Sequence, residues 1–480
     1  MSVVEQLGEL LRGAGFGRER HSVLTQLPWG VPPPEVLAAA GRGEDARLAN
    51  LAALFQCDQP VASASAAEAI RPLRLDLLVH AGLIEAVGTG VRSRVKVDSY
   101  EGLLVAGDPL RHIEGTDYVI ALSPASAAVA GLTVRRPIAT ALDVGTGSGI
   151  QALLAARHAG RVVGVDVNAH ALHCAGLSQK LNGMDNIRWV EGDWFEPVRG
   201  HRFDLIVVNP SVIITPDNEV LWRDSAVGGE ALSHRLVRES ADHLNEGGFA
   251  TVLCHWATHG DTWEREPREW VSGLGCDALL LHLGSHEPLA YMMSNVVDSS
   301  NADATVGAER FSRWARYYKE TGVEQIAWGV VVLRRRSERS NWVRSYHLGR
   351  GRDRRGGDQL ERVFNGCDTL SADSGAEQFR RLLAGTWRLV DGHRLEQTLG
   401  SLGGTYAPSR TAMTQRPGMN LDAAVDPRVL PLLDVCDGER SLGKALSQTP
   451  PPAGLDRSDF HNLCLGTVRD LIAKGFLLDS

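Results

Sequence analysis

The sequence predicts an α/β protein whose Rossmann-like, seven-stranded sheet is flanked by mostly helical, winged-helix-like accessory domains. Three observations lead to this class. Between residues 111 and 335, apolar strand-like runs alternate with helical stretches, which indicates parallel strands joined by right-handed crossovers. One of those strands, over residues 138–144, ends in a glycine-rich turn. The two ends of the chain instead carry leucines at helical spacing.

The same patterns divide the chain into four parts. They are an N-terminal accessory domain (1–110), the sheet domain (111–335), an arginine- and glycine-rich linker (336–358) and a C-terminal helical domain (359–480). Two helical stretches and a hairpin over 88–105 suggest a winged helix in the first part. A helical insertion is predicted over 308–321 of the sheet domain. The linker is expected on the surface, with a nucleic-acid or acidic-partner patch as the alternative.

Composition excludes several classes of protein. The 480 residues carry a net charge of −8, which argues against a generally basic surface for nucleic acid. Seven cysteines without a C-x-x-C pair predict no disulfide framework and no metal site, and they fit a reducing cytoplasm. The N-terminus carries glutamates rather than the basic flank of a signal peptide. Pro124 interrupts the longest apolar stretch, so no membrane span is expected.

The glycine-rich turn is the most informative motif. Asp143 precedes Gly145, Gly147 and Gly149, and glycines let a ligand approach the backbone while the next helix directs its positive end at the site. A dinucleotide-binding fingerprint would have glycine where Ile150 stands. The motif therefore favours a different nucleoside-bearing ligand.

Two later strand ends indicate which ligand that is. Asp166 ends the second strand, about twenty residues after the turn, where a carboxylate reads a ribose diol. Asp193 and Trp194 follow the third strand and offer an acceptor and a flat wall for adenine. Ligands gather at the carboxyl ends of the strands in such sheets, so these groups should converge. Together they predict a site for S-adenosylmethionine, with S-adenosylhomocysteine as product.

The motif Asn209-Pro210-Ser211-Val212, after strand 203–208, resembles the Asn-Pro-Pro-aromatic motif of class I methyltransferases that modify planar nitrogens. In that family the asparagine side chain and the first proline's carbonyl accept hydrogen bonds from the target amino group. The resemblance implies catalytic roles for Asn209 and Pro210. Ser211 and Val212 depart from the pattern, and the missing aromatic residue puts a stacked, flat acceptor in doubt.

The resemblance covers residues of about 100 to 335 and extends to actinobacterial methyltransferases related to the release-factor glutamine and ribosomal guanine-N2 enzymes. It implies that Arg223 and Asp224 lie in a loop over the acceptor pocket, and that Asp117, Tyr118 and Ser123 approach the methionine end of the donor. The predicted donor-binding residues are Ser123, Asp143, Gly145, Thr146, Gly147, Gly149, Asp166, Val167, Asn168, Asp193, Trp194 and Asn209. Those predicted to contact the acceptor are Tyr118, Ser211, Val212, Arg223 and His255.

The function expected from these motifs is methyl transfer to an amide, guanidine or amino nitrogen of a polar small molecule, in bacterial specialised metabolism. The first alternative is a protein or ribosomal RNA acceptor, gripped by the terminal domains. A small-molecule O-methyltransferase and a non-catalytic regulator that senses S-adenosylmethionine are the others. His255 could act as a general base. A homodimer through the terminal domains is left open.

Overall fold

The computed structural model describes residues 1–16, 46–113, 115–210, 213–216, 229–258, 262–296, 304–348, 356–371, 375–402 and 405–480. Four residues named above, Ser211, Val212, Arg223 and Asp224, lie outside this part of the chain. The chain divides into two compact units. The first comprises 1–129, 136–276 and 284–337, and the second comprises 130–135, 277–283 and 338–480.

The first unit begins with short elements that precede the large sheet. They are α1 (Val3–Gly13), α2 (Ala46–Phe55), β1 (Val61–Ala62), α3 (Ser63–Ala69), α4 (Leu75–His80), β2 (Ile84–Val87), β3 (Gly90–Ser93), β4 (Lys96–Tyr100) and β5 (Leu103–Gly107). Strands β1, β3 and β2 form an antiparallel sheet in that order. The structure has two hairpins, β2–β3 and β4–β5, where the sequence predicted one over 88–105. The winged-helix interpretation stays a prediction.

The large sheet follows, with helices between most of its strands. Its elements are α5 (Pro124–Gly131), β6 (Ile138–Val144), α6 (Ile150–Ala156), β7 (Ala159–Asp166), α7 (Ala169–Asn182), β8 (Ile187–Glu191), β9 (Phe203–Val208), α8 (Gly229–Asp242), β10 (Leu244–Thr258), α9 (Arg265–Val271), β11 (Cys276–His286), α10 (Pro288–Val296), α11 (Ala304–Thr321), β12 (Gln325–Arg335) and β13 (Val343–His347). The insertion before β12 thus contains two helices, α10 and α11, rather than the one predicted.

The strand order is β13-β11-β12-β10-β9-β6-β7-β8. The predicted Rossmann-like α/β class is confirmed, with two corrections. Strand β12 runs antiparallel to β10, so the sheet is mixed rather than all parallel. An eighth strand, β13, pairs in parallel with β11 and lies inside the segment predicted as a linker. It was missed because this edge strand, Val-Arg-Ser-Tyr-His, is only partly buried and has no apolar run.

The sheet centre explains where the site lies. Residues 141–144 of β6 and 205–208 of β9 are buried, and the two segments pair in parallel. Strands buried on both faces read as continuous apolar runs, which is why the sequence identified them. The carboxyl ends of β6, β7, β8 and β9 open at the same edge of the sheet. That edge carries the glycine turn, Asp166 and Asn209.

The second unit contains most of the remaining elements. They are α12 (Gly357–Ser371), α13 (Ala376–Ala384), β14 (Thr386–Leu389), β15 (His393–Leu402), β16 (Thr405–Gln415), β17 (Ala423–Ala424), α14 (Leu430–Leu433), β18 (Asp437–Ser441), α15 (Leu442–Gln448), α16 (Arg457–Ala473) and β19 (Leu477–Asp479). Phe460, Val468 and Phe476 lie in its apolar core. Across the described residues of both units, no helix has the length and apolar character that crossing a membrane requires.

Candidate active site

The turn after β6 is shaped by left-handed backbone conformations. The φ angles of Gly145, Gly147 and Gly149 are 68°, 53° and 85°, values that favour glycine. A Cβ atom built on Gly147 would meet no heavy atom within 4 Å. The backbone of the turn therefore borders open space, and a side chain at this position would protrude into it.

Asp143, at the end of β6, is a buried carboxylate that is only partly satisfied. Thr146 Oγ1 donates to its Oδ2 at 2.5 Å, and the Ala152 amide donates to the same oxygen at 3.0 Å. Its Oδ1 is buried and has no hydrogen-bond partner. Burial raises the pKa of Asp143 to about 7, although the Thr146 hydroxyl and the Ala152 amide act in the opposite direction. Oδ1 can therefore accept a hydrogen bond from an N–H or O–H group of a bound ligand.

Asp166 joins the ends of two strands. Its Oδ2 accepts from the Gly147 amide at 2.8 Å, and its Oδ1 accepts from the Asn168 amide at 2.9 Å. Burial raises the pKa of this carboxyl, and these backbone hydrogen bonds lower it. Each oxygen keeps a further lone pair, so the carboxylate can still accept from a ligand hydroxyl.

The chain after Asp166 is held by a second hydrogen-bonded side chain. Asn168 caps α7 by accepting from the His170 amide at 2.9 Å. Its Nδ2 donates to the carbonyl of Asp117 at 3.0 Å, which brings the segment predicted to approach the donor against this turn. Val167, between the two polar residues, is 56% exposed at the same edge.

Trp194 lies against the glycine turn. A Cβ atom on Gly145 would lie 3.4 Å from the Trp194 ring, so the indole packs directly against the glycine turn. Trp194 itself adopts a φ of 45°, which is uncommon for a residue with a side chain. The neighbouring Asp193 is about half exposed, and its carboxylate lies 3.9 Å from the Arg235 guanidinium.

Asn209 follows β9 and is anchored by a serine. Its Nδ2 donates to Ser126 Oγ at 3.2 Å, and Ser126 Oγ lies 2.9 Å from Ser123 Oγ. Within the described part of the chain, the Asn209 side chain forms no other hydrogen bond, so its Oδ1 is available to accept one. Ser126 was missed by the sequence analysis. Its spacing from Ser123 at the start of α5 was the only local signal.

The structure also describes the surroundings of two residues predicted to contact the methyl acceptor, Tyr118 and His255. Tyr118 is buried, and burial raises the pKa of its phenol. The His255 amide donates to Ser233 Oγ at 3.1 Å, and the His255 ring lies 6.5 Å, edge to face, from the Trp328 ring. None of these observations connects Tyr118 or His255 to Asn209. Their roles in binding the methyl acceptor therefore stay predictions.

One group of side chains among the described residues could hold a metal ion. The ligand atoms of Asp108, His170 and Cys174 lie within 4.8 Å of one another. His170 Nε2 lies 2.9 and 3.0 Å from the two carboxylate oxygens of Asp108, one of which accepts from the Val119 amide. These hydrogen bonds already account for the cluster, and they tie Asp108 and the Val119 amide to the start of α7. The sequence analysis missed it because Asp108 is distant in sequence.

The residues at this edge fit S-adenosylmethionine. The open space beside Gly147 leaves room for a ligand, and Asp143 Oδ1 lacks the donor that an ammonium group supplies. Asp166 can accept from a ribose hydroxyl, and Trp194 offers a flat face for a base. The predicted donor-binding residues described here thus meet at one edge of the sheet.

Comparisons with known proteins identify a methyltransferase domain in this part of the chain. Residues 125–258 match the family model described as "Methyltransferase small domain". Residues 30–94 match a second model, a domain of unknown function. The release factor glutamine methyltransferase of Xylella fastidiosa is 36% identical over 126 residues, which cover 24% of this chain and 46% of the relative.

Two further relatives are named for other substrates. The ribosomal protein uL3 glutamine methyltransferase of Bradyrhizobium diazoefficiens is 32% identical over 134 residues, covering 25% of this chain and 42% of the relative. The ribosomal RNA small subunit methyltransferase C of Alcanivorax borkumensis is 31% identical over 114 residues, covering 24% and 31%. The chain thus spans less than half the length of these three relatives.

Proposed function

With a class I methyltransferase domain as the premise, for which S-adenosylmethionine is the methyl donor, we propose that the chain methylates a planar nitrogen. The observation that carries the proposal is the carboxamide of Asn209. It lies at the carboxyl end of β9, beside the strand that leads into the glycine turn, and Ser126 holds its Nδ2. This leaves Oδ1 to accept from the N–H group of an acceptor.

The chemistry follows from what these residues can do. Bound at the glycine turn, S-adenosylmethionine supplies an electrophilic methyl group on a sulfonium. The Asn209 Oδ1 atom and the Pro210 carbonyl accept hydrogen bonds from the target amino group and so orient the nitrogen lone pair. The nitrogen–methyl bond forms as the sulfur–methyl bond breaks, S-adenosylhomocysteine leaves, and the surplus proton of the methylated nitrogen passes to water. Asn209 takes no proton and remains uncharged. Catalysis is therefore mainly proximity and alignment.

We propose the side-chain amide of a protein glutamine as the acceptor. An amide presents two N–H donors on a planar nitrogen, which matches a pair of acceptors at Asn209 and Pro210. The relatives named for glutamine methylation support this choice, because this chain resembles them over 126 and 134 residues. The terminal domains would then hold the acceptor protein.

A polar small molecule is the second candidate acceptor. The observation that favours it is the sequence Ser211-Val212, which replaces the proline and aromatic residue of the related motif. A motif without an aromatic residue at position 212 depends less on stacking against a flat acceptor. It would suit a compact amide, guanidine or amine, as in specialised metabolism.

The acceptor class can be tested with methyl-labelled donor. The full chain is incubated with labelled S-adenosylmethionine and a bacterial cell extract, and the products are treated with protease or nuclease. Label that only protease releases supports the protein acceptor, and label in small molecules supports the second candidate. Label that nuclease releases would mean that the methyl acceptor is RNA and not a protein glutamine. Absence of label from every fraction contradicts methyl transfer.

A further inference from the structure

The helical insertion between β11 and β12 contacts the chain just after the Asn209 motif. From this contact we propose that Tyr291 of α10 and Tyr318 of α11 are positioning residues for methyl transfer. They fix the peptide of Ile214, five residues after Asn209. The insertion thereby sets the course of the chain that would border the acceptor. This inference rests on the proposed function.

The contact consists of two hydrogen bonds to a single residue. The Ile214 amide donates to Tyr291 Oη at 3.2 Å, and Tyr318 Oη donates to the Ile214 carbonyl at 2.5 Å. The two partners are 77 and 104 residues away in sequence. The N–H and the C=O group of Ile214 are therefore both hydrogen-bonded to phenols from two different helices. Neither group is paired within a strand or a helix.

The surroundings of these bonds are buried and apolar. Ile214, Tyr291 and Tyr318 are 3%, 6% and 3% exposed, and they form one apolar cluster with Met292, Trp314 and Ile326. The Trp314 ring lies 6.4 Å from the Tyr318 ring, edge to face. A buried peptide without hydrogen-bond partners is strongly disfavoured. The two hydroxyl groups therefore favour this path of the chain over others.

Charge does not complicate the arrangement. Burial raises the pKa of Tyr291, and the bond from the Ile214 amide lowers it. The phenol is therefore neutral at physiological pH, and its oxygen accepts from the amide without a buried charge. The bond from the Ile214 amide to Tyr291 is therefore expected to persist at physiological pH.

Simple core packing is the alternative explanation, and it makes a different prediction. If the rings only fill space, phenylalanine would serve equally well at both positions. If the hydroxyls fix Ile214, then removing them loosens the chain after Asn209 and leaves the donor site intact. A loss of kcat/KM for the methyl acceptor without a loss of affinity for S-adenosylhomocysteine separates the two explanations.

The experiment compares Tyr291→Phe and Tyr318→Phe with Tyr346→Phe. Tyr346 is the control, because its half-buried phenol donates to the Ala473 carbonyl at 3.3 Å within the second unit. Three quantities are measured: the Kd of S-adenosylhomocysteine, hydrogen exchange in peptides containing Ile214, and methyl transfer to the extract fraction that takes label. Circular dichroism confirms that each variant is folded.

We expect exchange of the Ile214 amide to rise at least tenfold in Tyr291→Phe, which removes its acceptor. In Tyr318→Phe the amide keeps its partner, so its exchange should rise less. Both variants should lower kcat/KM for the acceptor about tenfold or more, while the Kd of S-adenosylhomocysteine stays within about twofold. Tyr346→Phe should change none of these quantities.

Unchanged Ile214 exchange in Tyr291→Phe, or unchanged acceptor kcat/KM in both variants, would overturn the proposal. Equal losses in donor affinity and transfer would also overturn it, because they indicate a general structural effect. If the wild-type chain labels nothing, the proposed function fails and acceptor positioning fails with it. The exchange measurement then still shows whether Tyr291 holds the Ile214 amide.

Discussion

The two polar residues at the ends of β6 and β9 have different roles, and each can be tested by substitution. Asp143 is buried with one oxygen lacking a partner, and Asn209 presents an oxygen beside an anchored amide nitrogen. In the proposed mechanism the first holds the donor and the second aligns the acceptor. Substitutions at the two positions should therefore affect different measured quantities.

Asp143 predicts a pH dependence of donor binding. Its pKa in the folded protein, about 7, exceeds the usual value near 4. The folded, ligand-free protein therefore binds this proton more tightly than the unfolded chain does. The resulting contribution to folding stability is fully present below about pH 4 and is lost as the pH rises through 7. A ligand with an ammonium group binds the ionised form of Asp143 in preference to the protonated form. The affinity for S-adenosylhomocysteine should accordingly rise about tenfold between pH 6 and pH 8, as measured by calorimetry.

The control for this prediction is Asp143→Asn, which keeps the shape of the side chain and removes its titration. Its affinity should be weaker and nearly independent of pH over the same range. A pH profile that remains unchanged in Asp143→Asn would assign the titration to another group.

Asn209→Ala should separate transfer from donor binding. We expect kcat to fall about a hundredfold, because the acceptor nitrogen loses its alignment, while the Kd of S-adenosylhomocysteine stays within about threefold. Asn245→Ala is the matched control, since Asn245 donates to Asp204 near the opposite end of β9. Equal losses of transfer in the two variants would argue against a specific role for Asn209.

At the scale of elements, the strand, turn and helix around the glycines form the donor site. Gly147→Ala places a side chain in the open space of the turn and forces it to a φ of 53°. The affinity for S-adenosylhomocysteine should fall at least tenfold, and the free energy of unfolding should drop by about 1 to 2 kcal/mol. Calorimetry and chemical denaturation measure the two effects.

Gly183→Ala controls for the backbone penalty. Gly183 ends α7 with a φ of 64°, and a Cβ there would also meet nothing within 4 Å. This variant should lose similar stability and keep its affinity. Similar losses of affinity in both variants would mean that the turn is not the donor site.

The sequence predicted this element well because its signals are local. The glycines, Asp166 and Trp194 each lie at the end of a strand or a few residues after it, and parallel topology brings those strand ends together. The Asn209–Ser126 bond could not be predicted, because it joins residues 83 positions apart whose relative placement depends on the folded sheet. The same is true of Tyr291 and Ile214. The edge strand β13 was hidden by its polar, partly exposed residues.

At the scale of the molecule, the N-terminal segment is part of the same compact unit as the sheet domain. Arg12 of α1 donates to the Leu181 carbonyl of α7 at 2.7 Å. A Cβ atom on Gly8 would lie 2.0 Å from that carbonyl oxygen, so the two helices are in close contact there. The first helix is thus attached to the helix that follows the Asp166 turn.

This contact predicts different outcomes for two glycines of the same helix. Gly8→Ala should lower the free energy of unfolding by about 1 to 3 kcal/mol through overpacking, measured by urea denaturation. Gly13→Ala, where a Cβ meets nothing within 4 Å, should be neutral or stabilising by up to about 1 kcal/mol. If Gly8→Ala is as well tolerated as Gly13→Ala, then α1 does not pack on α7 in this way.

The most direct test of planar-nitrogen methylation is mass spectrometry of the modified acceptor. The full chain is incubated with S-adenosylmethionine and the extract fraction that takes label, in parallel with Asn209→Ala. We predict a methyl group on a side-chain amide nitrogen of a protein glutamine with the wild-type chain, and little or none with the variant. A methyl group found only on oxygen, carbon or sulfur, or equal modification by both proteins, would contradict the account.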